Sequence, residues 1–156
     1  MDATTNVPKW QVLFGSAIGR KHSGDIDGAI EDMIMCVTLT KPDVALAEYT
    51  ATNLNYLADL YLTKNETDCA ESILRESIEL SRFRFPHLYA DNLCILGGIQ
   101  RGMGKHQEAL ASAQESLRIC EAAAYAYGVT RAKQLISIVE NSLLTAEPPK
   151  ASEPIG

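Results

Sequence analysis

One spacing occurs three times in this 156-residue chain and narrows the folds open to it. Gly24-Asp25-Ile26-Asp27-Gly28-Ala29-Ile30, Asn65-Glu66-Thr67-Asp68-Cys69-Ala70-Glu71 and Gly104-Lys105-His106-Gln107-Glu108-Ala109-Leu110 align on Ala29, Ala70 and Ala109, which lie 41 and 39 residues apart. A turn-forming residue (Gly24, Asn65 or Gly104) stands five positions before each alanine. Seven and ten positions after it come Cys36 with Leu39, Ser77 with Leu80, and Ser116 with Ile119. The segments ahead of the second and third copies agree as well: Leu54-x-x-Leu57-Ala58-x-x-Tyr61 matches Leu93-x-x-Leu96-Gly97-x-x-Gln100. A unit of this length cannot bury its apolar face alone, so neighbouring units must stack.

The apolar residues between the breaks recur at intervals of three and four, the period of an α-helix, and no segment alternates as a half-buried strand would. Short breaks at Ser23-Gly24-Asp25, Lys64-Asn65-Glu66 and Gly102-Met103-Gly104-Lys105 divide helix pairs. Lys41-Pro42-Asp43 and Phe85-Pro86-His87 separate one pair from the next, because proline suits a first helical turn and not its interior. The pattern predicts seven helices, at 8–22, 25–40, 43–63, 66–82, 86–102, 105–122 and 126–145. Residues 146–156, with three prolines and no apolar stripe, are expected to be a disordered tail. Small residues at Ala58 and Gly97, facing Ala70 and Ala109, would let paired helices approach closely while Leu57, Leu96, Leu74 and Met33 fill the grooves beside them.

These residues resemble the tetratricopeptide repeat: small and large residues at set offsets, a turn residue, and an alanine five positions later. The repeat length near 40 and the Pro42-Asp43-Val44-Ala45 junction are similar to the longer repeats of the kinesin-light-chain type. The resemblance implies an all-α fold, an α-solenoid of three helix-turn-helix repeats in one domain over 8–145. The repeats would span about 8–41, 42–84 and 85–123, with 126–145 as the capping helix that covers the last apolar face. In the first repeat Trp10, Leu13 and Ala17 take the family's places, with an interval to Gly24 about three residues longer than in the others. Gln100 stands where a tyrosine is usual.

In that family the first helix of each pair lines a concave groove for a partner segment. The positions implied here are Thr52, Asn55, Tyr56, Asp59 and Thr63 on one helix, and Asp91, Cys94, Ile95, Gly98 and Arg101 on the next. Members that grip the terminal carboxylate of heat-shock chaperones place lysine, asparagine and arginine in the groove. Asn55, Asp59, Asp91 and Ile95 hold those places here, so no such clamp is expected. A segment with some basic residues suits the groove better.

Chemistry of other kinds finds little footing. Cys36, Cys69, Cys94 and Cys120 form no C-x-x-C pair, and His22, His87 and His106 lie beside turns, so no metal site is expected. The thiols read as packing groups. Gly98 to Lys105 has the wrong interval for a phosphate loop, and no Ser or Thr follows Lys105. Asp25-x-Asp27-Gly28 has too few acids for a calcium loop. Neither H-E-x-x-H nor G-x-S-x-G occurs, so no catalytic residue and no cofactor are expected.

Twenty acidic and 14 basic side chains give a formal charge of −6. That balance argues against general nucleic-acid or membrane binding, and no apolar run reaches the length of a membrane helix. The start makes a poor signal peptide, and a cytoplasmic location, with the nucleus also open, is expected. Within Ser81-Arg82-Phe83-Arg84-Phe85 the two phenylalanines are expected to pack where the helix turns toward Pro86, with the arginines at a helix C-terminus. Ile138 and Leu144, off the stripe of the last helix, could serve self-association or docking through a terminal helix.

The expected function is non-catalytic protein binding, as an adaptor or scaffold holding a partner segment. The alternatives are a small acidic chaperone for a client protein and a structural piece of a larger solenoid.

Overall fold

A computed structural model describes residues 7–145. Among them are seven α-helices and no strand: α1 (Lys9–Ser23), α2 (Ile26–Thr40), α3 (Ala47–Thr63), α4 (Thr67–Ser81), α5 (Pro86–Gly102), α6 (His106–Ala122) and α7 (Ala126–Thr145). The helix expected over 43–63 begins instead as a single 3-10 turn, Val44–Leu46, whose start is fixed by Asp43 Oδ1 accepting from the Ala45 N–H at 2.9 Å. The tail expected from residue 146 onward lies outside the described residues.

The three aligned turns are one structure built three times. Gly24, Asn65 and Gly104 adopt φ of 87°, 61° and 75°, the left-handed conformation that glycine and asparagine tolerate. In each case the next N–H, of Asp25, Glu66 or Lys105, donates to a carbonyl five residues back, on Arg20, Tyr61 or Gln100, at 2.8–2.9 Å. These bonds satisfy carbonyls that a helix end would otherwise leave bare. A fourth copy joins α6 to α7. There Tyr125 N–H donates to Cys120 O at 2.8 Å, and Ala124 takes the left-handed place at φ 52°.

These turns also set the register of α1. Ala17, Ala58 and Gly97 each stand seven residues before the left-handed residue, and all three are buried. The first repeat therefore keeps the interval of the other two, and the three-residue excess expected there does not exist. Leu13 aligns with Leu54 and Leu93, and Trp10 aligns with Ala51 and Ala90.

A second adjustment concerns the second helices. Residues seven and eleven positions past the aligned alanines are buried: Cys36 and Thr40, Ser77 and Ser81, Ser116 and Cys120. Leu39, at the tenth position, is exposed, and Leu80 and Ile119 are half-buried. At about 100° per residue, positions seven and eleven fall within about 20° of the alanine's direction, whereas position ten lies about 80° away.

The chain divides into two compact units between Asn92 and Leu93, within α5. In the first unit Ala17, Ala29, Ile30, Met33, Cys36, Leu57 and Leu60 form a buried cluster, flanked by Leu13, Phe14, Ile26, Val37, Tyr61 and Ile73. Beyond it runs a buried polar seam. Asn53 Nδ2 reaches Thr40 Oγ1 at 3.4 Å, and Asn92, in the same register 39 residues on, donates from Nδ2 to Ser77 Oγ at 2.7 Å and Ser81 Oγ at 3.5 Å. Ser77 Oγ in turn donates to Ala51 O at 2.7 Å. Asparagine suits this place because its amide carries donors and an acceptor that can bridge two helices at once.

In the second unit Leu96, Ile99, Ala109, Ala113, Ala132 and Val139 are buried. Glycine is required at position 97: a Cβ there would stand 2.9 Å from Leu135 Cδ2 and 3.1 Å from the Ala109 carbonyl oxygen. Gln100, in the usual tyrosine place, accepts from Ser112 Oγ at 2.8 Å and so ties α5 to α6.

Candidate partner-binding face

The first helices of the first unit meet along aromatic rings. Trp10 and Phe14, one helical turn apart on α1, face Tyr49 and Tyr56, two turns apart on α3. The Trp10 and Tyr49 centroids are 4.6 Å apart with the rings tilted by 41°, and Phe14 meets Tyr56 edge to face at 5.0 Å and 87°. Farther along, Lys21 of α1 pairs with the Asp59 carboxylate of α3.

The rings leave an open cleft of about 400 Å³, lined by Trp10, Gln11, Phe14, Glu48, Tyr49, Thr52 and Asn53. A second cleft of about 370 Å³ shares Glu48 and Thr52 and is completed by Arg84, Phe85, Pro86, His87, Leu88 and Asp91. Tyr49 is 48% exposed and Tyr56 36%, so both rings offer surface to a partner while resting on a neighbour.

The residues singled out from the sequence fare differently. Thr52 lines both clefts, with its hydroxyl donating to the Glu48 carbonyl at 2.8 Å. Tyr56 stands exposed beside Phe14. Asn55 is half-buried and donates to Asn92 Oδ1 at 2.5 Å, so its amide serves the polar seam. Asp59 has its charge matched by Lys21, and exposed Thr63 donates to the Asp59 carbonyl at 2.9 Å. Asp91 is half-buried at the second cleft.

In the second unit Cys94 is only 8% exposed, which removes most of its thiol from any partner. Ile95 and Gly98 are half-buried, with open space where a Gly98 side chain would lie, and Arg101 is exposed.

Sequence reasoning passed over Gln11, Phe14, Glu48 and Tyr49, and read Trp10 only as a repeat position. The missed signal is the seven-residue interval from Ala17 to Gly24. It places Gln11 and Phe14 in the register of Thr52 and Asn55. A different correction falls on the loop after α4. Phe83, expected to pack, is 89% exposed, with the Arg82 guanidinium 5.4 Å from its ring centre. Only Phe85 turns inward, half-buried against the second cleft.

The thiols lie apart from this face. Cys36 is fully buried and donates to the Trp10 carbonyl at 3.2 Å. Burial, helped by the Asp32 carboxylate, pushes its pKa up to about 11, which leaves it protonated and unreactive. Cys69 is exposed. Among the described residues no cluster of three or more His, Cys, Asp and Glu side chains could hold a metal ion.

No family model matches the sequence, and no curated protein matches it in sequence. Solved structures do match. The apo form of RapI superposes with a TM-score of 0.82 at 14% identity, over 92% of this chain and 52% of that one. The first TPR of Spaghetti (RPAP3), bound to an HSP90 peptide, matches at 0.66 and 17% identity, over 92% of this chain and all of that one. The chain has the tetratricopeptide-repeat fold.

A Podosopora anserina protein with nearly identical TPR-like repeats of kinesin-light-chain type also matches, at 0.55 and 15% identity, over 92% of this chain and 79% of that one. The all-α solenoid of repeats expected from the sequence is thus the tetratricopeptide-repeat fold of these neighbours. At such identities the likeness is one of fold, and the chain spans about half the length of RapI.

Proposed function

We propose that this chain is a non-catalytic protein-interaction module, an adaptor or scaffold that holds a segment of another protein on its first-helix face. The repeats would be 8–41, 42–84 and 85–123 with 126–145 as cap, working in the cytoplasm or nucleus. No described helix is long and apolar enough to cross a membrane.

The observation that carries this reading is the aromatic cleft between α1 and α3. Exposed tyrosine and tryptophan, rigid and amphipathic, are the residue types that most often dominate interface energy. Thr52 and Tyr56 belong to this surface, with Thr63 farther along α3. Asp91 contributes at the second cleft, and Ile95, Gly98 and Arg101 offer a secondary surface on the second unit.

The RPAP3 domain holds an HSP90 peptide, SRMEEVD. A terminal-carboxylate clamp is not proposed here, because Lys21 is engaged by Asp59 and Asn55 by Asn92, which leaves neither side chain for a carboxylate.

The test is affinity capture from native extract with the wild type and a Tyr49→Ala/Tyr56→Ala variant whose fold is checked by circular dichroism. Loss of the same partners from the folded variant supports the reading. Persistence of all of them overturns it.

A second reading, docking within a larger helical assembly, is favoured by α7, where Ile138 and Leu144 are exposed, the latter at 83%. Concentration-dependent sedimentation that Ile138→Ser/Leu144→Ser abolishes would support it. A monomer at every concentration would count against self-docking.

A further inference from the structure

We propose, resting on the partner-segment reading, that the cleft between α1 and α3 selects a cationic side chain of the bound segment, arginine ahead of lysine. Of the seven residues that line it, Glu48 alone is charged. Its carboxylate is exposed and, among the described residues, has no ion-pair partner. It sits in the first turn of α3.

The remaining walls are the rings of Trp10, Phe14 and Tyr49, with the Thr52 hydroxyl and Gln11 amide at the polar edge. Aromatic faces beside one carboxylate attract a cation that can shed water, and they repel an anion. A guanidinium fits better than an ammonium because it stacks flat on a ring and still offers paired N–H donors to a carboxylate. The volume of about 400 Å³ admits one such side chain with part of its backbone.

The neighbouring cleft differs. It holds Arg84 and His87 as well as Glu48 and Asp91, so its charges are mixed and it carries no such preference. The cationic residue therefore belongs in the first cleft, with the segment running on past Thr52 toward Pro86.

Trp10, the single tryptophan, reports on this cleft alone. The probes are three capped heptapeptide pools, degenerate except for a central arginine, citrulline or glutamate. The arginine pool should shift Trp10 emission saturably, with the citrulline pool about tenfold weaker, the sum expected of a lost charge-assisted hydrogen bond and cation–π contact. The glutamate pool should give no shift. Glu48→Gln, with unchanged circular dichroism, should shrink the arginine preference to the few-fold remainder that the rings of Trp10, Phe14 and Tyr49 supply.

Equal binding of all three pools to the wild type overturns the proposal, as does an unchanged arginine preference in Glu48→Gln, or no shift with any pool. None of these results touches the capture experiment. Partners lost with Tyr49→Ala/Tyr56→Ala and no arginine preference would leave the binding face intact and remove only its charge selectivity.

Discussion

Up to Asn92 the first helices carry rings on the face we assign to a partner. In the matching register of the second unit, Cys94 stands for Phe14, Ile95 for Tyr56 and Gly98 for Asp59. The buried positions do not diverge in this way: Ala17, Ala58 and Gly97 are all small, and Gly24, Asn65 and Gly104 share one backbone conformation. Packing fixes the inner face of a repeat because helix axes approach only where side chains are small. Nothing in packing fixes the outer face, so its chemistry is free to differ between repeats. The difference is the ground on which we propose the first unit as the binding face.

That contrast can be broken from the inside first. Met33→Ala, at a fully buried position in the first unit, should cost about 2–5 kcal/mol in a urea titration. Tyr49→Ala/Tyr56→Ala, at half-exposed rings, should cost far less while removing partners. Equal losses would mean that the rings serve the fold.

Next in size is Asn92→Ala. It takes the acceptor from Asn55 and one of the two bonds from Ser77, whose Oγ keeps Ala51 O, and should cost about 2 kcal/mol. The corresponding change at Asn53, which keeps one long bond of 3.4 Å, should cost less.

The turns sharpen the comparison further. Gly104→Ala should destabilise by about 1 kcal/mol, and Ala124→Gly, which relieves a left-handed alanine at φ 52°, should stabilise by about half that after the entropy glycine adds to the unfolded chain. Thermal midpoints moving in opposite directions would establish that the two turns are the same device.

The smallest effect is chemical. An alkylating reagent should label exposed Cys69 in the native protein and spare Cys36, Cys94 and Cys120, read by peptide mass. The Cys36 thiol titrates near 11 in the fold and near 9.0 when free. Over that window the unfolded chain has released a proton that the folded chain still holds, so stability falls as pH rises through it. Cys36→Ala should flatten that fall.

Much of this fold was legible because helices repeat their geometry. Ala29, Ala70 and Ala109 with their turn residues located three helix pairs, and the predicted helix limits differ from those observed by at most one residue, the 3-10 start of α3 apart. The register of α1 was misjudged because Trp10 is large where Ala51 and Ala90 are small, and size is what alignment by eye follows.

The face was harder to read. Tyr56 and Thr52 were found from their register. Glu48 and Tyr49 lie at the start of α3 and meet α1 only through tertiary contact, which no local period announces. Phe83 is expected to pack because it stands where the chain turns toward Pro86, yet the α4–α5 turn leaves it on the outside.

The most direct test places a photo-crosslinking benzoylphenylalanine at Tyr56 in one variant and at Gly98 in another, each irradiated in native extract. The account predicts a crosslinked partner from position 56 and none, or far less, from position 98. Equal yields at both positions, or a product from position 98 alone, would contradict the assignment of binding to the aromatic face of the first unit.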